Sequence, residues 1–335
     1  MIIGYMRNFN RPNILAKLTS LVAKAKGMEI LYFRADDVNM DKKTINGFIF
    51  TGSEWHRMET KIPKIIDVSQ FCLVYPKVVR YLEKHSYLTV SFKNRISKEM
   101  LQYKLLEDED FKRYVIPSAS CSSPFKIKEF LSLYKDVVIK PTRSQRGVGV
   151  YRVFINDKGS ITIGHNKIEQ EISFEELENF YNEKLTEKKH VIQKYITSRT
   201  PQGDPFDCRI HMEKNGKGEW VVAKKYIRIG IGQQVISNVN QGGGVAEARV
   251  FLKANYPNSA KKMLKELNQL GLKLATKMEQ LREVEIPTVG FDIGIDRDGS
   301  FYVFEANGAP DTSRLRGEVA MYRTDYYKYL IKNKI

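Results

Sequence analysis

The sequence predicts a mixed α/β and α+β protein in three parts. A small parallel α/β unit occupies residues 1–90, a small α+β lobe 91–196 and a larger α+β lobe 197–335. Three observations carry this expectation. The opening segment alternates short apolar runs with a helix-period stretch, the pattern of strands joined by a crossover helix. Asn156-Asp157-Lys158-Gly159 and Asp298-Gly299 each sit between alternating apolar runs, as hairpins require. A chain of 335 residues is also long enough to divide, at roughly 100–200 residues per domain.

In chain order, Ile2 to Met6 reads as a strand. Ile14 to Ala25 reads as a helix with Leu15, Leu18, Leu21, Val22 and Ala25 on its apolar stripe. Met28 to Phe33 is a second strand, ending at Asp36-Asp37, and Gly47 to Phe50 and Lys64 to Val68 follow at similar spacing. Helical periodicity returns from Ser97 to Leu106. Tyr114-Val115-Ile116-Pro117 then leads into a Ser/Cys-rich loop, Ser118 to Ser123. Phe125 to Leu133 is a helix and Asp136 to Lys140 a buried strand. Strands over 148–154 and 161–163 flank the Asn156 turn, and a charged helix, Phe174 to Asn182, precedes a strand over 191–196. The last part holds strands at Cys208–Met212, Trp220–Ile227 and Gln234–Val239, a long helix from Ala260 to Leu281 and a hairpin over 288–306. Its basic, aromatic tail, Tyr322 to Ile335, reads as an amphipathic closing helix.

Hydrophobic residues at 42% and charged residues at 28% are ordinary globular usage, which excludes disorder, collagen and coiled coil for the whole chain. Fifty-five basic against 39 acidic residues leave a net charge of +16, so an anion belongs in the protein's working life. Phosphate, nucleic acid, acidic polymer and acidic substrate all fit. Cys72, Cys121 and Cys208 are odd in number, far apart and without CxxC spacing, which points to buried thiols in a reducing compartment. The start lacks a signal-peptide apolar region, and no apolar run approaches the roughly 18–20 residues that span a bilayer, so a cytoplasmic protein is expected. His85, His165 and His190 read as surface residues and His56 as structural. There is no nucleophile elbow, P-loop or dinucleotide fingerprint.

The hairpin is the most informative stretch. A two-residue loop at Asp298-Gly299 would put Asp292 directly opposite Glu305, with Asn307 on the same face two residues on. Two like charges in an apolar hairpin are costly unless a cation or a basic side chain lies between them. Oxygen ligands on short side chains suit Mg²⁺. The plain alternative is an acidic pair on a solvated face. Lys140 leads through Pro141 to Gly147 and Gly149, a loop able to bring backbone N–H groups to phosphate beside a lysine charge, or simply a turn. Asp207, Arg209 and His211 alternate onto one strand face, functional or merely exposed. Arg228, with Asn238 and Gly242-Gly243-Gly244, forms a second candidate anion site, or a flexible loop.

Taken in order, these features resemble the ATP-grasp superfamily, in particular its YheC/YheD-type members associated with endospore coats. The residues that carry the likeness are Asn94-Arg95-Ile96-Ser97-Lys98, Lys140-Pro141 with Gly147 and Gly149, and Gln193-Lys194-Tyr195-Ile196. Asp207-Cys208-Arg209, Asn238 with Gly242-Gly243, and Phe291-Asp292-Ile293 with Phe304 to Pro310 complete the set. The likeness covers nearly the whole chain.

It implies an ATP-grasp fold, two lobes clasping a nucleotide behind a pre-grasp domain. ATP would be bound by Lys98, Lys140, Gly147, Gly149, Gln193, Tyr195, Ile196, Asp207 and Asn238. The two lysines would meet the phosphates, the Tyr195-Ile196 hinge the adenine and Asp207 the ribose. Asp292, Glu305 and Asn307 would hold Mg²⁺, and Arg209 or Arg228 would act on the transferring phosphoryl group. The implied activity is joining a carboxylate to an amine or thiol through an acyl phosphate, with a polyanionic or peptide-like acceptor. One departure stands out. Ser144 and Gln145 occupy places where the family carries Gly then Ser, and Arg143 and Arg146 add charge, which alters closure over the phosphates. Two other readings compete: a nucleotide-binding, spore-associated structural protein with little or no catalysis, and a nucleic-acid binder using the +16 charge and Tyr326-Tyr327-Lys328-Tyr329.

Overall fold

Three β-sheets succeed one another along the chain. The computed structural model describes residues 1–93, 95–142, 149–165, 168–230 and 243–335, with Lys98 and Glu99 as backbone alone, and every count below refers to these residues.

The first sheet is built from β1 (Ile2–Met6), α1 (Ile14–Ala25), β2 (Glu29–Phe33), β3 (Val38–Asn39), β4 (Thr44–Phe50), β5 (Trp55–Lys61), β6 (Ile65–Val68), α2 (Pro76–Glu83) and β7 (Tyr87–Leu88). The order is β3-β4-β2-β1-β6-β7, with β5 paired to β4. β1 runs parallel to β2 and β6, and β6 to β7, giving the parallel centre that the sequence predicts. β4 is antiparallel to β2, β3 and β5, so the sheet is mixed rather than parallel throughout. The cause is local. The connection from β2 to β4 holds only a 3₁₀ turn, Ala35–Asp37, and the two-residue β3, too little for a crossover helix.

Helix α1 is capped by Asn13, whose side chain accepts from the Ala16 N–H at 2.9 Å. Its buried face is Leu15, Ala16, Thr19, Ser20 and Ala23, rotated from the predicted stripe, and Leu21 is exposed. Thr19 and Ser20 tolerate burial because their hydroxyls donate to the Leu15 and Ala16 carbonyls.

The second sheet follows α3 (Lys98–Leu106). It comprises β8 (Ser118–Ser120), α4 (Pro124–Tyr134), β9 (Asp136–Pro141), β10 (Tyr151–Ile155), β11 (Ile161–His165), β12 (Ile168–Ile172), α5 (Phe174–Lys184) and β13 (His190–Lys194), ordered β12-β11-β10-β9-β13-β8 and antiparallel at each pair. Ser123 caps α4 ahead of Pro124, and Ser173 with Glu176 forms a reciprocal capping box on α5. Val137, Ile139, Val153 and Ile192 bury against Ile127 and Leu131 of α4. The predicted Ser118–Ser123 loop contributes β8 instead. His190 is buried, not a surface residue, with its ring nitrogen against the Leu185 and Lys188 carbonyls. Leu101, Leu105 and Phe111 join the core of the third sheet.

The third sheet takes β14 (Phe206–Lys214), β15 (Trp220–Ile229), β16 (Gly244–Glu247), α6 (Ala248–Asn255), α7 (Ala260–Arg282), β17 (Thr288–Ile295), β18 (Phe301–Asn307) and α8 (Arg316–Lys334), ordered β16-β15-β14-β17-β18. Cys208, Ile210, Met212, Val289, Phe291 and Ile293 bury against α6 and α7. The predicted strand Gln234–Val239 lies outside the described residues. Helix α8 returns to the first sheet, where Tyr326, Tyr327 and Leu330 pack with Ile3, Tyr5 and Ile30. The tail is therefore a closing helix, and two of its tyrosines are core rather than a stacking surface.

Candidate active site

The hairpin turn holds three residues, not two. The Asp296 N–H donates to the Ser300 carbonyl and the Gly299 N–H to the Asp296 carbonyl, with Gly299 at φ +83°. Pairing near the turn is accordingly one residue out of the expected register, as Ile295↔Phe301 and Ile293↔Val303. A bulge at Phe304 then restores it, so Asp292 faces Glu305 and Gly290 faces Asn307. Two deviations cancel, and the acid pair stands where the sequence placed it.

Strand alternation presents Asp207, Arg209, His211 and Glu213 on one face of β14. This face is not solvated: Asp207 is 4%, Arg209 6% and Asp292 5% exposed. Register brings Asp207 opposite Arg228 and Arg209 opposite Asp292. Arg228 grips Asp207 through Nε and Nη2 at 2.7 and 2.8 Å, and its Nη2 also lies 2.9 Å from Asp292 Oδ2. Arg209 pairs with Asp292 through Nε to Oδ1 and through Nη2 to Oδ2 at 3.0 Å. The Asn307 amide donates to Asp292 Oδ2 at 3.3 Å. Two aspartates and two arginines thus alternate in a buried, self-compensating array, the condition under which such charges are tolerated. Burial works against the Arg228 charge, but Asp207 and Asp292 outweigh it and hold the pKa above the ordinary arginine value.

Asp292, Glu305 and Asn307 therefore gather at one end of the hairpin. Two carboxylates and a carboxamide are hard oxygen donors, the set that Mg²⁺ accepts when phosphate oxygens and water complete its shell. Among the described residues no three His, Cys, Asp or Glu side chains form a self-sufficient metal cluster, so a metal here would be shared with a ligand.

The other predicted residues lie on the second sheet and its exit. Lys140 is on β9, paired with Val191. Gln193 on β13 is 3% exposed, and its Nε2 has no hydrogen-bond partner, a buried donor that calls for an acceptor. The Tyr195 N–H donates to the Asp136 carbonyl, and the Ile196 carbonyl accepts from the Ser198 N–H at 2.7 Å. Arg152 lies over the Tyr195 ring and Arg199 donates to its hydroxyl. Gly149 has φ +73°, and a Cβ there would press on Pro141 at 3.1 Å. Lys98 opens α3 behind the Ser97 cap. Gly147 and Asn238 lie outside the described residues, as do Arg143 to Arg146.

Sequence reasoning missed two groups. Asp296 ties the turn to the segment that leaves β13, accepting from the Thr197 N–H at 3.2 Å and facing Lys194 at 3.8 Å. Glu213 accepts from Thr288 Oγ1 at 2.8 Å, sits 2.8 Å from His211 Nε2 and pairs with Arg323 of α8 at 3.5 Å. Continued alternation past His211 marks Glu213, but no local signal marks its α8 partner.

The arrangement of one antiparallel sheet followed by a second antiparallel sheet bearing the charged face is that of the ATP-grasp proteins. A RiPP-associated ATP-grasp ligase from Chryseobacterium gregarium, solved with ADP and a leader and core peptide, superimposes with a TM-score of 0.53 at 13% identity, covering 95% of each chain. Within that class the chain belongs to the YheC/D-like ATP-grasp family, whose sequence pattern matches residues 89–332. The endospore coat-associated protein YheD of Bacillus subtilis (strain 168) is 26% identical over 321 residues, 91% of this chain and 69% of that protein. The endospore coat-associated protein YheC of the same organism is 21% identical over 298 residues, 85% of this chain and 81% of that protein. The three cysteines are free and buried, and no described helix is long and apolar enough to cross a membrane.

Proposed function

We propose that the protein is an ATP- and Mg²⁺-dependent ligase that joins a carboxylate to an amine or thiol through an acyl phosphate. The observation that carries the reading is the meeting of Asp292, Glu305 and Asn307 with Arg209 and Arg228 on one sheet face. Residues 1–90 would be the pre-grasp domain, 91–196 the small lobe and 197–335 the large lobe. Lys98 and Lys140, with the Gly147 and Gly149 loop and Asn238, hold the phosphates. Gln193, Tyr195 and Ile196 frame the adenine, and Asp207 reaches the ribose. Asp292, Glu305 and Asn307 hold Mg²⁺, which neutralises charge on the phosphates when bound.

Arg209 and Arg228 stabilise the charge on the γ-phosphoryl group in transit. A carboxylate oxygen bonds to the γ-phosphorus as the bond to the bridging oxygen of ADP breaks. The amine or thiol then bonds to the acyl carbon, loses its proton and releases phosphate. A peptide-like acceptor is supported by the peptide bound to the Chryseobacterium ligase. Association with the spore is supported by the names of the Bacillus relatives, and residence in the cytoplasm belongs to the same reading. Those names also favour a second reading, a spore structural protein that binds nucleotide without turnover.

The deciding measurement is the thermal midpoint with ATP, with and without Mg²⁺, for wild type and Glu305→Gln. A ligand at a hundredfold excess over Kd stabilises by about 2.7 kcal/mol. A Mg²⁺-dependent rise that Glu305→Gln abolishes supports the nucleotide site, and ADP release on adding carboxylates and amines then separates ligase from structural protein. No rise under any condition refutes both readings.

A further inference from the structure

Helix α1 is turned the opposite way from an ordinary surface helix, which keeps its apolar stripe for the core. Ile14, Leu18, Leu21 and Ala25 fall within about 60° of one another around its axis. That stripe faces out. Ile14 is 60% and Leu21 40% exposed, Ala25 is exposed and Leu18 half-buried, and none of the four belongs to a core cluster of the described residues. The face turned inward is the small and hydroxyl-bearing one, Ala16, Thr19, Ser20 and Ala23. Phe9, 54% exposed, stands in the loop just ahead of the helix, where its carbonyl accepts from the Tyr32 hydroxyl at 2.8 Å. Charge marks the same element. Residues 1–28 hold five basic side chains, Arg7, Arg11, Lys17, Lys24 and Lys26, and no acidic one. Arg7 and Lys26 pair with Asp67 and Asp325, and Lys24 meets Glu29 in an exposed pair at 3.5 Å. Arg11 and Lys17 are exposed and form no ion pair with another described residue. Lys17 and Lys24, seven residues apart, run along one edge of the stripe.

We propose that the outer face of α1 is a membrane-surface site, which lies in the plane of a bilayer carrying anionic headgroups. Phe9, Ile14, Leu18 and Leu21 enter the boundary between headgroups and acyl chains, and Arg11, Lys17 and Lys24 stand among the phosphates. Charge selects this occupant: an apolar stripe edged by cations and free of acids is complementary to anionic lipid. Size excludes a second copy of the chain. A helix of 12 residues is about 18 Å long and about 10 Å across, so its outer face offers on the order of 200 Å², against about 800 Å² per partner in a stable interface. Attachment is peripheral, since no described helix is long and apolar enough to cross a membrane. The inference is independent of the ligase reading, because it uses none of the residues assigned there to nucleotide or metal.

The test is co-sedimentation of the full-length protein, without nucleotide, with vesicles of phosphatidylcholine alone and of equal parts phosphatidylcholine and phosphatidylglycerol. Binding is expected on the mixed vesicles at low salt, weakening as salt rises, and far less on phosphatidylcholine alone. Ile14→Ser combined with Leu21→Ser lowers the partition by at least about tenfold through lost apolar insertion. Lys17→Glu lowers it by at least about tenfold through charge, whereas Lys262→Glu, the same charge change at an exposed position of α7, leaves it within about twofold. A fluorescent maleimide placed on Leu21→Cys, the native cysteines being buried, shifts to the blue on the mixed vesicles. No binding at low salt overturns the site. A loss in Lys262→Glu equal to that in Lys17→Glu assigns binding to the overall charge of +16 and overturns it as well. A dimer in sedimentation velocity that the Ile14→Ser, Leu21→Ser variant dissolves gives the face to a second copy and overturns the lipid assignment. Thermal midpoints of the variants stay near that of wild type; a large fall in the double variant would make the stripe a packing element and overturn the proposal.

Discussion

Arg209 and Asp292 stand directly opposite each other on β14 and β17, joined by a two-point ion pair that is almost wholly buried. Asp292 is also the residue on which Arg228 and Asn307 converge. One carboxylate therefore holds the charged face together as well as standing among the proposed metal ligands.

Asp292→Asn removes the negative charge between two arginines. The expected result is a loss of about 3–5 kcal/mol in stability, the cost of leaving buried charges without their partner. Urea denaturation measures it. A loss below about 1 kcal/mol, the range of exposed pairs, would show that the face is hydrated in solution.

The bulge that restores the register depends on Gly294. A Cβ there would lie 2.2 Å from Phe304 Cζ, so the ring of the bulged residue covers the glycine. Gly294→Ala is expected to cost about 1–3 kcal/mol through overpacking and to weaken nucleotide binding by displacing Glu305. Phe304→Leu in the same chain should recover part of both losses. A double-mutant cycle with no coupling between the two sites would refute the dependence.

Asp67 is buried between the first sheet and α8. Burial alone would raise its pKa, but Arg7 at 3.0 Å, Arg323 and the Tyr327 hydroxyl hold it below the ordinary carboxylate range. The folded state therefore binds this proton less readily than the unfolded chain. Its contribution is fully present above the unfolded value, about 3.9, and is lost as pH falls through the lower folded value. Asp67→Asn should reduce stability at neutral pH and flatten the acid limb of the profile, followed by urea midpoints from about pH 3 to 7. An acid limb of unchanged slope would show that Asp67 does not carry it.

Much of the fold could be read locally. The predicted span of α1, the start of α7, and the apolar runs of β1, β9 and β15 match the observed elements because hydrophobic period and turn chemistry act over a few residues. The hairpin shows the limit. Asp298-Gly299 announces a turn but does not count its residues, and three-residue loops with glycine left-handed use the same letters. The facing of Asp292 and Glu305 was legible only because a bulge offset that miscount. Alternation likewise placed Asp207, Arg209 and His211 on one face but could not say what covers it. The Arg323 contact to Glu213 and the burial of Tyr327 join positions far apart in sequence, which no window of neighbouring residues reveals. The rotated face of α1 has the same origin: small and hydroxyl residues there accommodate α8, a partner absent from the local pattern.

The return of α8 to the first sheet sets a timetable for synthesis. Tyr326, Tyr327 and Leu330 belong to the same core cluster as Ile3 and Ile30, so that core lacks one wall until residues from 316 onward have left the ribosome. The opening segment must wait, with apolar surface uncovered, while everything between is made. A nascent chain stalled before residue 316 should therefore engage holding chaperones through β1 and β2, though those strands emerge long before α8.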